Sequence, residues 1–287
     1  MTLQEIQVWL KEKLEPITSE WEIESKWMLC QVLDCSVLDL IIYKQQDITE
    51  KAYNELLEMV RRRILREPIQ YILGVHEFMG LPFKVGRGVL IPRQDTESLV
   101  EYIIQYVAGQ PTKILDIGTG SGAIAVSLAR FLKYAEVTTV DISEDALEIA
   151  GENVRLNGVE ARVTLLKSDL FESVGSEVFD IIVSNPPYIS EKDLRALEPE
   201  VKDHEPELAL LGGLDGLDFY RRIIPQAKPY LKAKGLLIFE AGYDQSVEII
   251  KLFEAQGYDD IGVFSDLRGI PRFIYGHFVN DADKTNG

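Results

Sequence analysis

Four short strings in this sequence carry residue types that can do chemistry together. The first, Asp116-Ile117-Gly118-Thr119-Gly120-Ser121-Gly122-Ala123, sets an acid and three alternate glycines at the end of an apolar run. Glycines at that place allow a tight strand-to-helix turn whose backbone comes close to a ligand. The spacing Gly118-x-Gly120-x-Gly122 lacks the three-glycine dinucleotide fingerprint, and Asp116 is placed to meet a ligand's amino group. A cofactor bearing an amino acid fits this better than a pyrophosphate. The second string, Val137-Thr138-Thr139-Val140-Asp141, ends in a carboxylate able to accept both hydroxyl protons of a ribose, with Ser143 left to cap the next helix. In the third, Ser168-Asp169-Leu170-Phe171, Asp169 can accept from an adenine amino group while Leu170 packs on the ring. An acid after a strand is also ordinary turn chemistry, and the two corners upstream favour the adenine contact.

The fourth string, Asn185-Pro186-Pro187-Tyr188, follows the apolar run Phe179–Ser184. Two prolines stiffen the backbone, remove two N–H donors and leave carbonyls free to accept. A planar amide or amino nitrogen has two N–H groups and a delocalised lone pair. The Asn185 side-chain oxygen and the Pro186 carbonyl can each take one N–H, aiming the lone-pair axis, while Tyr188 stacks on the planar group. Together the strings point to methyl transfer from S-adenosyl-L-methionine, leaving S-adenosyl-L-homocysteine. The expected catalytic residues are Asn185, Pro186 and Tyr188, with Pro187 joining them in holding the substrate. The expected cofactor contacts are Asp116, Gly118, Thr119, Gly120, Ser121, Gly122, Asp141, Asp169, Leu170 and Asn185. The three histidines, His76, His204 and His277, stand far apart with no cysteine cluster beside them, so no metal is expected.

These residues need a scaffold, and the flanking periodicities describe one. From Lys113 onward strand-like and helix-like runs alternate: strand Lys113–Ile117, helix Ala123–Phe131, strand Glu136–Val140, helix Glu144–Leu156, strands Arg162–Leu166 and Phe179–Ser184, helix Phe219–Leu231, and strand Gly235–Glu240. Such alternation specifies an α/β fold, a doubly wound and mainly parallel sheet. A helix near Gln245–Gln256 and a terminal hairpin, Asp260–Phe264 with Arg272–Phe278, complete it. Residues 1–70 place apolar side chains at helical spacing and read as a small helical domain. Residues 71–94 read as a hairpin-rich connector, with Tyr71–Gly74 and Val89–Ile91 among its β-like runs. The larger domain then covers 95–280, opening on a helix capped by Asp95, with Arg93 facing either the cofactor edge or the substrate entrance. The polar residues Asn280–Gly287 read as a frayed end.

Charge limits the partners. The 47 acidic and 30 basic residues give a net charge of −17, which opposes binding to a phosphate backbone. The run Arg61-Arg62-Arg63 with Arg66 is the main basic cluster, read either as a solvated helix face balanced by Glu55, Glu58 and Glu67 or as a contact for an acidic partner surface. The start lacks a basic segment followed by an apolar core, and no apolar run approaches the ~18 residues of a membrane span. No membrane association is expected and the cytoplasm is the expected location, where Cys30 and Cys35 read as buried free thiols.

Several of these strings occur together in a known family. The sequence resembles the class I adenosylmethionine-dependent methyltransferases and, more closely, the bacterial PrmC or HemK family, which methylates a glutamine of peptide chain release factors. The likeness rests on Glu67-Pro68-Ile69-Gln70-Tyr71-Ile72 with Gly74, Glu77 and Phe78; on Leu90-Ile91-Pro92-Arg93-Gln94-Asp95-Thr96-Glu97; on the glycine-rich turn; on Asn185–Ile189; and on His204-Glu205-Pro206 followed by Ala209-Leu210. The resemblance implies methylation of the glutamine in a Gly-Gly-Gln tripeptide, a seven-stranded cofactor domain, and an N-terminal helical domain that docks the release factor. It also implies cofactor contacts from Gly118 to Gly122 and at Asp141, Leu170 and Asn185, with the glutamine held by Asn185 to Tyr188. Leu170 stands where some members have tryptophan, which weakens stacking on adenine without abolishing it.

Two rivals remain at this level. A nucleic-acid amino-methyltransferase would use the same Asn-Pro-Pro-Tyr loop on a flipped base, but the acidic charge and the lack of a basic insertion oppose it. A binding module without turnover is opposed by the intact turn, Asp141 and loop.

Overall fold

The computed structural model describes residues 1–278. The expected frayed end, and the last two residues of the domain drawn to 280, lie outside these. The elements run α1 (Leu3–Leu14), α2 (Trp21–Leu33), α3 (Val37–Ile42), α4 (Glu50–Ile64), α5 (Ile69–Leu73), β1 (Val75–Phe78), β2 (Leu81–Lys84), α6 (Gln94–Val107), β3 (Thr112–Ile117), α7 (Ala123–Phe131), β4 (Ala135–Asp141), α8 (Glu144–Leu156), β5 (Val163–Lys167), β6 (Phe179–Ser184), α9 (Glu191–Leu194), α10 (Pro199–Lys202), α11 (Asp218–Ala227), β7 (Leu231–Glu240), α12 (Ser246–Ala255), β8 (Asp259–Ser265) and β9 (Pro271–His277). They form two compact units, Met1–Val75 with Glu198–His204, and His76–Leu197 with the described residues from Glu205 onward.

The first unit packs α1, α2, α4 and α5 around Ile6, Leu10, Leu14, Met28, Leu29, Leu56 and Val60. A reciprocal box starts α1: the Thr2 hydroxyl accepts from the Glu5 N–H, and the Glu5 carboxylate accepts from the Thr2 N–H at 2.8 Å. On α4 the inward stripe is Ala52, Leu56, Val60 and then Arg63, because steps of four, four and three return to one helix face. Arg63 is therefore buried, contrary to the solvated face expected of the basic run. Its guanidinium donates to Glu24 at 2.8 and 3.2 Å and to Glu200 at 2.9 Å. Arg62 pairs with Glu67 at 2.7 Å, and Arg66 with Glu200 at 2.7 Å. Cys30 and Cys35 are half-buried free thiols rather than fully buried ones, and desolvation pushes both thiols up from their usual range.

In the second unit a seven-stranded sheet has the order β5-β4-β3-β6-β7-β9-β8, parallel except at β9. Its strands alternate between two cores, as a period of two requires. Ile114, Ile181, Val183, Leu236 and Ile238 face one layer with α6 and α7, while Leu115, Ile182, Leu237 and Phe239 face the other with α11 and α12. Burial on both faces explains why these strands read as continuous apolar runs.

Three local expectations differ from the structure. Tyr71–Gly74, read as β-like, closes α5, and Val89–Ile91 forms no strand. Val89 and Leu90 line a cavity. Asp95 does not cap α6; Arg93 occupies that position without a side-chain capping bond, and the Asp95 carboxylate accepts from Arg268 at 2.6 Å.

Candidate active site

The chain runs from β3 outward to β4 and β5, then returns to β6 on the other side of β3. That reversal opens a crevice beyond the carboxyl ends of β3 and β6, where ligands bind in open α/β sheets. Register puts the candidate residues on one rim. Ile117 lies opposite both Val140 and Ser184, and Ser184 opposite Phe239. The next residues, Gly118, Asp141, Asn185 and Glu240, therefore stand side by side. A cavity of about 340 Å³ opens there, within the range of small-molecule sites.

The glycine-rich turn is built by backbone. The N–H groups of Gly118 and Thr119 both donate to the Val140 carbonyl, at 2.9 and 3.0 Å. Gly118 has φ +86°, so any side chain there would be strained, although the nearest atom to a Cβ, the Asn185 carbonyl oxygen, lies at an ordinary contact distance of 4.0 Å. Gly122 caps α7 at φ +82°, with Ala150 of α8 only 3.2 Å from where a Cβ would sit. Glycine thus serves close helix packing at this position. Asp141 holds the turn from the next strand, accepting from the Gly120 and Ser143 N–H groups at 2.9 Å each. The Ser143 hydroxyl accepts from the Ala146 N–H and caps α8.

Gly118, Thr119, Gly120, Ser121, Asp141, Asp169, Leu170, Asn185, Pro186 and Pro187 all line the cavity. Gly122, Asp116 and Tyr188 do not. Asp116 lies fully buried beneath the turn; one carboxylate oxygen accepts from Thr139 at 2.9 Å and the other has no hydrogen-bond partner among the described residues. Burial raises its carboxyl to about 8 against the opposing Thr139 hydrogen bond. The Tyr188 ring packs on the α11 and α12 side. Its phenol lies beside Arg272 and Glu240 and is pushed up chiefly by burial, so the expected stacking surface is turned inward. The Asp169 carboxylate is held by Arg222 at 2.8 and 2.9 Å. Leu170 is nearly buried at φ +52°, left-handed backbone that costs a branched side chain about 1–2 kcal/mol. Packing holds it where it covers one wall of the cavity.

The Asn185-Pro186-Pro187-Tyr188 loop is tied from below by Gln245, whose amide donates to the Tyr188 and Gly216 carbonyls at 2.9 and 3.2 Å. Asn185 itself donates to the Thr96 hydroxyl at 3.3 Å, and Thr96 donates to the buried Glu240 carboxylate at 2.7 Å. Burial lifts Glu240 to about 7, while Thr96 and Arg272 pull it down. Across the cavity Arg93 grips Glu205 at 2.7 and 2.8 Å, fixing the start of the stretch through Ala209 that forms part of the wall. Desolvation raises Glu205, and Arg93 opposes this.

Sequence reasoning missed Thr96, Glu240, Arg222 and Ile142. One signal existed: an acid closing the otherwise apolar Leu236–Phe239 run.

The donor set fits S-adenosyl-L-methionine: a carboxylate at the β4 end, an apolar wall from Ile142 and Leu170, and a left-handed glycine turn beside the Asn185 loop. No group of metal-ligating side chains occurs among the described residues, and none of their helices is long and apolar enough to cross a membrane.

The fold and this site define a class I, Rossmann-like methyltransferase. Residues 94–202 match the model of the methyltransferase small domain and residues 5–74 that of the PrmC N-terminal domain. The catalytic domain of hMettl16 superposes at a TM-score of 0.58 with 17% identity, covering 81% of this chain and 84% of its own. A methyltransferase from Pyrococcus furiosus gives 0.52 at 18%, covering 81% and 100%; both likenesses concern the fold. The release factor glutamine methyltransferase of Geobacter sulfurreducens is 44% identical over 254 residues, 88% of each chain. That of Fusobacterium nucleatum is 42% identical over 88% of this chain and 72% of its own. This chain belongs to the release factor glutamine methyltransferase family.

Proposed function

We propose that this protein transfers a methyl group from S-adenosyl-L-methionine to the side-chain amide nitrogen of the glutamine in the Gly-Gly-Gln motif of peptide chain release factors. The observation that carries the reading is the Asn185-Pro186-Pro187 turn at the crevice rim, with the Asn185 amide nitrogen bonded inward to Thr96. The Asn185 oxygen is thereby left to accept from a substrate. The names of the family's members supply the substrate class.

The bound cofactor supplies an electrophilic methyl group on a sulfonium centre. Asp141 would accept from its ribose hydroxyls, Leu170 and Ile142 would flank its base, and the Gly118–Ser121 backbone would lie along its amino-acid portion. The Asn185 oxygen and the Pro186 carbonyl would each accept one N–H of the substrate amide. An amide nitrogen is a poor nucleophile, so fixing its orientation is a large part of what a site can contribute. Both acceptors gain strength as positive charge develops on that nitrogen, which favours the transition state over the ground state. Its surplus proton becomes strongly acidic and can leave to water.

The test is incubation with labelled cofactor and a purified release factor, with mass spectrometry placing the methyl group. A label on the glutamine amide is expected. Methyl transfer to duplex DNA with none to the release factor would reverse the assignment in favour of a base-directed enzyme.

Asp141→Ala is expected to weaken cofactor binding about 100-fold, since it removes a charged acceptor and frees the Gly120 and Ser143 N–H groups it organises. At saturating cofactor, kcat should stay within about threefold of the parent. Titration calorimetry beside single-turnover rates separates the two, and an unchanged affinity would contradict the role.

A further inference from the structure

Glu240 ends β7 directly beside Asn185, because Ser184 and Phe239 are paired in the sheet. It is 1% exposed and outside the cavity. A carboxylate can only accept, so the single Thr96 proton must go to Glu240, a contact of 2.7 Å. With that proton committed, the Thr96 oxygen can only accept from Asn185, at 3.3 Å. The Asn185 amide nitrogen is thus turned inward, and the amide oxygen faces the cavity that the side chain lines. An amide's O and N are distinguished by such a network, and with Glu240 ionised the network assigns them this way.

We infer that Glu240, acting through Thr96, is a positioning residue that sets which face of the Asn185 amide is presented to the substrate. This rests on the proposed reading of the Asn185 oxygen as the acceptor for the substrate N–H. Once protonated, Glu240 can donate to Thr96; the Thr96 proton then becomes available to the Asn185 oxygen, and the amide can turn over. The methyl-acceptor site loses its carbonyl in that state.

The surroundings of Glu240 support titration near neutrality. Arg272 of β9 and Asp95 of α6 act on it with opposite sign, and burial outweighs both, giving a carboxyl at about 7. Tyr188 lies beside it, and the Tyr220 hydroxyl of α11 donates to its backbone carbonyl at 2.8 Å. Burial holds both phenols above their usual range, so neither loses its proton near pH 7. Activity needs the carboxylate, so kcat should rise with pH through about 7, falling roughly tenfold for each pH unit below it.

The test compares the full-length parent, Glu240→Gln, Thr96→Val and Thr96→Ser on a purified release factor with labelled cofactor. Glu240→Gln keeps the shape but can donate to Thr96 as the protonated acid does. It is expected to lose about 30- to 100-fold in kcat at pH 8, to keep cofactor affinity within about threefold, and to lose the acid limb of the pH profile. A parent-like kcat and acid limb in Glu240→Gln would overturn the inference, as would a loss of rate matched by an equal loss of cofactor affinity. If Glu240→Gln does not fold, as judged by circular dichroism, the Thr96 pair decides. Thr96→Ser restores the hydroxyl and should turn over about tenfold faster than Thr96→Val; equal rates would overturn the relay. A parent enzyme that leaves the release factor unmethylated at every pH defeats the proposed function itself, and is separable from a parent that methylates while its variants do not differ.

Discussion

Asn185→Ala is expected to slow methyl transfer to a release factor by about 100- to 1,000-fold at saturating cofactor, the magnitude found when one preorganised hydrogen-bonding group is removed from a reacting centre. The side chain lines the cavity and is held from behind by Thr96, so its loss removes an acceptor that was fixed before the substrate arrived. Orientation of the amide then rests on the Pro186 carbonyl alone. Cofactor affinity should change by less than about threefold, because the Gly118–Ser121 turn and Asp141 keep their own bonds. The measurement is kcat from labelled methyl transfer set beside the cofactor Kd from calorimetry. A fall in affinity equal to that of Asp141→Ala, with no further loss of turnover, would remove Asn185 from the chemistry. The contrast between the two variants is the informative quantity, since it splits substrate orientation from cofactor retention.

Arg63→Ala should destabilise the first unit by about 3–5 kcal/mol, the cost of leaving a buried partner charge uncompensated. Glu24 is 3% exposed and its carboxylate meets Nε and Nη2 along one edge of the Arg63 guanidinium. Glu200 loses its 2.9 Å partner in the same variant, keeping Arg66. Denaturant unfolding should show the midpoint of this unit falling, and hydrogen exchange should place the loss in α2, α4 and the Glu198–His204 segment. Replacing Arg63 by Met and Glu24 by Leu together removes both charges and should recover much of the loss, because an apolar pair of similar volume needs no solvation. A single Arg63→Ala variant as stable as the parent would show that the pair contributes nothing.

The corrected expectations share one cause. Asp95 was assigned as a cap from its position before an apolar repeat, but its carboxylate turns to Arg268, 173 residues away. Four arginines within six residues at the end of α4 predict a solvated face, because arginines are mostly exposed. Yet Arg63 continues the stripe of Ala52, Leu56 and Val60, and that periodicity was present in the sequence. Its partners were not, lying 39 and 137 residues away. Asp116 and Tyr188 show the same limit at the site, since their strings placed them near the cavity without saying which way each side chain turns. Thr96 and Glu240, 144 residues apart, had no local reason to be joined.

By itself, then, the sequence determined the strings whose meaning lies in the backbone between neighbours. The glycine turn after β3, the carboxylate closing β4 and the proline-stiffened loop after β6 each carry their chemistry in residue types a few positions apart, and strand alternation carried the doubly wound sheet. Only the tertiary structure decided what those strings lean on. Strand order and register brought Gly118, Asp141, Asn185 and Glu240 to one rim. Burial then turned Glu240 into a group that titrates near neutrality and committed the Thr96 proton to it. The orientation of the Asn185 amide follows from that pairing, because a hydroxyl has one proton to give and the sheet determines which acceptor lies within reach.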